Sequence, residues 1–500
     1  MRAILSSVSL LAVHSAAPRR PNSLAPPRAG ARAAATTLGP ASVWPAPQTM
    51  SMGTTAVFLD SSFEFSCASA VCPQPLNNAF SQYADIIFFA GPPVPAAPNQ
   101  SITGLAITIL SDEPLALGVS ENYTLSVPAA GGVAVATADT QWGALRALET
   151  FSQLFSWGGN GVPITYGCAS APVVINDFPR WPWRAVLIDS SRHFLTPAAI
   201  KVTIDAMQST KLNTIHWHLV DDNSWPLVST TLPLMSVHGA YSPEATYTHE
   251  DITELVSYAA DRGIRIVPEF DMPAHASIWG AGASSTPHAR NPCGRAPSSR
   301  PTQTHRALKI GYPQFTISCS DGQTLLNPVP AAGLYDAIDG LLSEFLPLFH
   351  SADFVHFGGD EVQNLQCWNE SAQVQAFMAA NGLADVNAVR NFFETQIQSI
   401  AAKHNASSMF WEEVFDKNYS LLPESIVDVW LSFDEVEAAL KAGHRIVNSF
   451  GLYLDQQDPF GPQHYFWADT CSFKSAQSAR TPTHPLSHPL PHDLNRPRQG

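Results

Sequence analysis

Five hundred residues, 45% of them apolar, exceed one ordinary domain and suffice for a sizeable core. Lys+Arg 27 against Asp+Glu 42 gives a net charge of -15. That balance argues against nucleic acid or an anionic membrane as the main partner, because phosphate binding wants a basic face.

The first segment, Met1-Arg-Ala-Ile-Leu-Ser-Ser-Val-Ser-Leu-Leu-Ala-Val13, has one cation, a short apolar run and then small residues. It resembles a secretory signal peptide, and an Ala/Pro/Arg-rich leader without acidic residues runs on to about residue 42. No later apolar run reaches membrane-spanning length, so no membrane span is expected. Sequons at Asn99, Asn122, Asn369, Asn405 and Asn418 suit a secretory route to a lysosomal, vacuolar or extracellular destination. Seven cysteines, an odd number, leave their connectivity open.

Residues 43–178 read as a small α+β domain. Strands are predicted at 55–59, 105–110 and 123–127, and an amphipathic helix at 137–156. Two prolines in Asp177-Phe-Pro-Arg-Trp-Pro-Trp183 mark the boundary. From there to residue 470 short apolar strands alternate with helical segments. The strands are expected at 185–190, 214–220, 264–270, 353–357, 408–412, 425–431 and 445–450. Thr196-Pro197 opens one helix, carrying Ile200, Ile204 and Met207 on one face. Thr248 caps another, with Ile252, Leu255, Val256 and Ala259, closed by Gly263. Repeated βα units of this length point to a parallel sheet and to an α/β fold of the (β/α)8 barrel type, incomplete at seven strands. Two stretches fall outside the pattern. The insertion 283–311 holds five cationic and no acidic residues, and the tail 471–500 is rich in Pro, Ser, His and Arg. Both read as translated non-coding sequence, with a mobile functional loop and a disordered tail as the alternative; a spliced transcript retaining them would overturn the first reading.

The run His356-Phe-Gly-Gly-Asp-Glu361 delivers two carboxylates to a strand's carboxyl end, where chemistry sits in such folds. Rigid placement can drive their acidities apart; the same pair would also suit a helix N-terminus. Other strands end in Asp189-Ser-Ser-Arg192, His216-Trp-His218-Leu-Val-Asp221, Glu269-Phe-Asp271, Trp411-Glu-Glu413, Trp430 and Tyr453-Leu-Asp455. Polar groups for hydroxyls and aromatic faces for C–H surfaces are what a sugar needs. His216 and His218 face one side of their strand and suit a structural role; His275, beyond the next strand, is the better functional candidate. Without HExxH or paired CxxC, no metal and no cofactor is expected.

The segments Leu187–Leu195, Lys211–Asp222, Arg262–Asp271 and His356–Glu361, with Val43-Trp-Pro-Ala-Pro-Gln48 at the start of the first domain, resemble family 20 glycoside hydrolases, nearest the eukaryotic β-N-acetylhexosaminidases. The resemblance covers residues 43–282 and 311–470. It implies exo-hydrolysis of terminal β-linked N-acetylhexosamine from a glycan by substrate-assisted retaining catalysis, in which the 2-acetamido oxygen attacks. It makes Glu361 the acid and then the base, and Asp360 the anion that holds the acetamido group. It gives Tyr453 to the acetamido oxygen, Trp411 and Trp430 to its methyl, and Arg192 and Asp455 to the sugar. Asp221 and His275 become a supporting network, Cys319–Cys367 a disulfide, and a homodimer the implied assembly. Gln456 stands where relatives accepting anionic sugars carry Arg, which favours neutral GlcNAc or GalNAc termini. Nothing after Tyr465-Phe-Trp-Ala-Asp469 resembles the family's eighth strand. An open barrel of low stability and weak activity is therefore expected, with a glycan-binding homologue that does not turn over as the alternative.

Overall fold

The computed structural model describes residues 42–69, 72–158, 163–280, 311–320, 323–349, 353–363 and 365–452. The leader, almost all of the insertion, the tail, Tyr453 and Asp455 lie outside these residues.

The first sheet is built from β1 (Thr49–Cys67), β2 (Ser101–Ser111), β3 (Tyr123–Val127), β4 (Gly132–Thr140), β5 (Ser156–Trp157) and β6 (Tyr166–Asp177), in the order β1-β2-β4-β3-β6-β5. β1 also pairs with β6, so the sheet closes back on itself. Helices α1 (Gln74–Ile87) and α2 (Gln141–Leu154) pack together with it. The predicted helix at 137–156 begins later than expected, because residues 137–140 finish β4. Thr140 then caps α2, its hydroxyl accepting from the Trp142 and Gly143 amides at 3.1 and 3.4 Å. Alternation in Gly132–Thr140 is a strand pattern. The sequence reading missed it by extending the helical period into it.

The second sheet is parallel and seven-stranded: β7 (Ala185–Asp189), β8 (Thr214–Val220), β9 (Arg265–Phe270), then, past the small β10 (Thr316–Ser318)–β11 (Thr324–Leu326) hairpin, β12 (Phe354–His356), β13 (Ser407–Trp411), β14 (Ile426–Val429) and β15 (Arg445–Asn448). All seven predicted strands are present within one or two residues. Neighbours in space are neighbours in sequence, so the sheet winds as a half-barrel. Every residue of β8 and β9 is buried, as expected of strands covered on both faces. Outside run α3 (Pro197–Ser209), α4 (Pro233–Gly239), α5 (His249–Ala260), α6 (Leu334–Phe345), α7 (Gln366–Glu370), α8 (Ala372–Asn381), α9 (Val386–Lys403), α10 (Glu412–Asp416) and α11 (Phe433–Ala442). Thr196 caps α3, and Thr248 with Asp251 forms a capping box on α5, as the sequence predicts. Among the described residues, β7 and β15 each pair on one side only, and one cavity opens between them.

Buried charge joins the two sheets. Glu121 accepts from Arg146 Nε at 2.7 Å, Arg184 Nη2 at 2.6 Å and Asn213 Nδ2 at 3.0 Å. Burial alone would raise its carboxyl, but the two guanidinium groups hold it down at about 2. Arg146 continues to the Gly263 carbonyl at 2.9 Å, at the entrance to β9. Replacing Arg146 by Met should therefore cost about 3 kcal/mol, since it leaves Glu121 under-compensated. Urea unfolding would measure this, and an unchanged midpoint would show that the pairing does not couple the sheets.

Candidate active site

The floor of the site is one carboxylate. Glu269, at the end of β9, is fully buried, with its Oε2 2.8 Å from both His216 Nε2 and His218 Nδ1. Its Oε1 accepts from Trp411 Nε1 at 3.1 Å. Burial by itself would raise its pKa, but the cluster of histidines takes it well below the ordinary value. His216 and His218, two apart on β8, do face one side and serve this carboxylate. Burial drops His356 to about 4, so its ring is neutral and Nδ1 accepts the Gly358 amide at 3.0 Å.

That contact starts the turn that carries the carboxylate pair. Gly358 and Gly359 have φ of +64° and +91°, and Glu361 itself +51°. A Cβ on Gly358 would sit 1.8 Å from Asp271 Oδ1, and one on Gly359 2.5 Å from Val414 Cγ2, so only glycine fits. The Gly359 amide donates to Asp271 Oδ1 at 3.1 Å, and Gln323 Nε2 donates to the Glu361 carbonyl at 2.9 Å. Asp271 and Asp360 share a buried hydrogen bond. Burial and then Asp360 push the Asp271 carboxyl well up. Burial raises Asp360 as well, but hydrogen bonding from Asp271 opposes this. Of the two, Asp271 is pushed up the further. Asp360 Oδ1 is out of solvent and has no hydrogen-bond partner among the described residues.

Arg192, Asp221 and His275 join the pair as a connected network. Asp189 Oδ2 lies 2.8 Å and Asp221 Oδ2 2.6 Å from the Arg192 guanidinium. Asp221 also bonds His218 Nε2 at 2.9 Å and His275 Nδ1 at 3.2 Å. His275, at φ +51°, has its Nε2 3.2 Å from Glu361 Oε2 and 3.8 Å from Asp360 Oδ2. Burial would lower His275, but Asp221, Asp271 and Asp360 raise it well above its ordinary value. The hydrogen bond from His275 in turn holds Glu361 low. In the free site the proton therefore sits on His275, and Glu361 is the anion. One imidazolium thus faces both carboxylates of the pair.

Trp411 and Trp430 form the wall, their rings 6.5 Å apart at 67°. Trp430 Nε1 donates to Glu413 Oε2 at 3.0 Å. Burial, with Asp360 nearby, lifts Glu413 to about 7. The two tryptophans line a cavity of ≈ 870 Å³ that also takes in Arg192, His275, Asp360, Glu361 and Asp428. Asp428 is raised to about 7 by burial. Cys319 and Cys367 are joined, tying the β10–β11 hairpin to α7 behind Glu361. His275, Asp360 and Glu361 lie close enough to hold a cation, as do His216, Glu269 and His356. The first trio is already bonded internally.

The structure thus unites Arg192, Asp221, His275, Asp360, Glu361, Trp411 and Trp430. Asp271, Glu269 and Glu413 were noticed in sequence only as strand ends. Their roles depend on partners on other strands, from 17 to 142 residues away in chain, which no local pattern records.

Two outcomes follow from these environments. His275 and His218, raised on folding, stabilise at acid pH and lose that contribution as pH rises. Asp428 and Glu413, also raised, bind protons more tightly folded than unfolded, so stability falls as pH climbs from about 4 to about 7. Asp221 and Glu269, lowered, lose their contribution only as pH falls below the ordinary carboxylate range. The melting temperature should peak near pH 5 and drop by roughly 5 °C or more by pH 8. Asp428→Asn should flatten that slope; a wild-type profile level from pH 5 to 8 would contradict the assignment. Separately, Gly358→Ala should destabilise by about 3 kcal/mol through strain and the Asp271 clash, and an unshifted denaturation curve would refute the turn geometry.

Residues 181–490 match the glycosyl hydrolase family 20 catalytic domain, and residues 43–154 match a beta-acetyl hexosaminidase-like domain. Beta-hexosaminidase subunit A1 of Dictyostelium discoideum is 33% identical over 444 residues, 86% of this chain and 74% of that protein. Beta-hexosaminidase subunit beta of Homo sapiens is 33% identical over 473 residues, 91% and 77% of the two chains. Among solved structures, the Flavobacterium johnsoniae chitobiase superposes with a TM-score of 0.67 at 26% identity, over 87% of this chain and 63% of its own length. A mutant Streptomyces plicatus beta-hexosaminidase in complex with product GlcNAc gives 0.58 at 22% identity, covering 82% and 74%, a likeness of fold. With the parallel half-barrel and the carboxylate pair at its strand ends, these matches establish that the chain belongs to glycosyl hydrolase family 20.

Proposed function

We propose that the chain is an exo-acting β-N-acetylhexosaminidase, releasing terminal GlcNAc or GalNAc from glycans with the substrate's own acetamido oxygen as nucleophile. One observation carries the reading. Asp360 presents a buried, unpartnered carboxylate oxygen in the same cavity where Glu361 meets a proton-bearing His275. An acceptor buried without a partner suits an amide N–H, here that of the acetamido group.

Asp271 holds the shared proton, so Asp360 meets the developing oxazolinium charge as an anion. His275 Nε2 and Glu361 Oε2 hold one proton between them at 3.2 Å. A sugar seated on the pair expels water and disfavours the charge-separated arrangement, which moves the proton to Glu361. Glu361 then protonates the leaving oxygen and afterwards takes a proton from water. Trp411 and Trp430 cover the acetamido methyl, Arg192 bonds the outer hydroxyls, and Tyr453 and Asp455 complete the sugar contacts.

A secretory route to an acid compartment fits two features. All five sequon asparagines are exposed, and the site's titrating groups favour acid pH. No helix among the described residues is long and apolar enough to cross a membrane. A homodimer is the proposed assembly, which sedimentation would measure.

Expressed from residue 43, the protein should hydrolyse 4-nitrophenyl N-acetyl-β-glucosaminide. Glu361→Gln should lower kcat by about 10³-fold or more while leaving product binding within a few-fold, and Asp360→Asn should cost at least about 10²-fold. Saturable GlcNAc binding without turnover in the parent protein would replace the enzyme reading with that of a glycan binder.

A further inference from the structure

The turn Gly358-Gly359 has no side chain of its own to anchor it, and three of the four residues from Gly358 to Glu361 are left-handed. Its shape depends on bonds from outside. His356 and Asp271 take the two glycine amides, Trp411 donates its amide to the Gly358 carbonyl at 2.9 Å, and Gln323 takes the Glu361 carbonyl. A third carbonyl of the turn, that of Gly359, joins directly to Asp360. It accepts from Arg390 Nη2 at 3.1 Å.

Arg390 lies on α9, outside the barrel wall, and is 1% exposed. Its Nε is paired with Glu394, one turn on and fully buried, and its guanidinium carbon lies 5.6 Å above the Tyr419 ring. Around it the helix buries Val389, Phe393 and Ile397 in the main core. A buried Arg–Glu pair in such surroundings is a poor source of stability, because desolvating two charges consumes most of their attraction. Apolar residues of the same volume commonly do as well or better. What this pair supplies that apolar residues could not is a fixed donor on one carbonyl. Glu394 orients the fork, Tyr419 covers its face, and Nη2 is left aimed at Gly359.

We propose that Arg390, oriented by Glu394, is a positioning residue for the Asp360–Glu361 pair, acting through its hydrogen bond to the Gly359 carbonyl. The inference rests on the hydrolase reading of this site. Releasing that carbonyl lets the Gly359–Asp360 peptide rotate and moves both carboxylates from His275 and Asp271, and misplacement of about 1 Å can cost about 10²-fold in rate.

The test compares the parent protein with Arg390→Met, Arg390→Lys and the double variant Arg390→Met/Glu394→Met on the chromogenic glucosaminide. Arg390→Met strands a buried carboxylate and should lose both melting temperature and kcat. The double variant removes both charges. Its melting temperature should return to within about 2 °C of the parent, while kcat stays about 10–100-fold down and KM moves less than about threefold. Arg390→Lys keeps the charge but not the two-partner fork, and should show the same loss in kcat. Recovery of kcat together with melting temperature in the double variant, or full kcat in Arg390→Lys, would reduce the pair to core packing and overturn the inference alone. A parent protein without hydrolysis would sink the functional reading, and this inference with it.

Discussion

The barrel's polar centre hangs on Glu269. One carboxylate on β9 gathers His216 and His218 from β8 and Trp411 from β13, and His356 from β12 lies beside it. It is the charge that makes it tolerable to bury three imidazoles and an indole N–H in a strand-lined interior. The consequences reach outward in order. Trp411, fixed by its bond to Glu269, becomes a stationary wall against which Trp430 sets its edge. His218, anchored at Nδ1, presents Nε2 to Asp221, and Asp221 in turn holds Arg192 and His275.

At the far end of that chain of bonds, acidity is apportioned among carboxylates that would otherwise be equivalent. Asp271, Asp360 and Glu361 lie close together with one imidazolium facing them. Asp271 is sealed from water and faces another acid, so it keeps a proton. Glu361 takes the hydrogen bond of His275 and loses its own. The resting site is therefore charge-separated. In the proposed hydrolysis, substrate has to return a proton to Glu361, which makes desolvation by the bound sugar part of the proposed chemistry and not only of the binding.

Among the described residues, the N-terminal sheet contributes no group to this network, yet it is bound to the barrel's opposite end by charge. Glu121 and Asp177 receive Arg146, Arg184 and Lys211 in a buried seam. Positions in β8 and at the entrance to β9 are thereby referred to a second rigid body, which limits how far the half-barrel can relax.

Much of this was legible in residues 185–450. Seven short apolar runs separated by helical periods foretold the seven parallel strands nearly to the residue, because burial on both faces leaves a continuous apolar signature. The capped starts of α3 and α5 were equally plain, since a cap is chemistry within four residues. Local turn chemistry also placed Asp360 and Glu361 at a strand end. What the sequence could not say was which carboxylate holds a proton, that Glu269 is the hub, or that Arg390 reaches the Gly359 carbonyl from a helix 31 positions on. Those properties belong to distances between segments far apart in the chain. Electrostatic interaction falls with distance and strengthens with burial, and both were decided only when the chain folded.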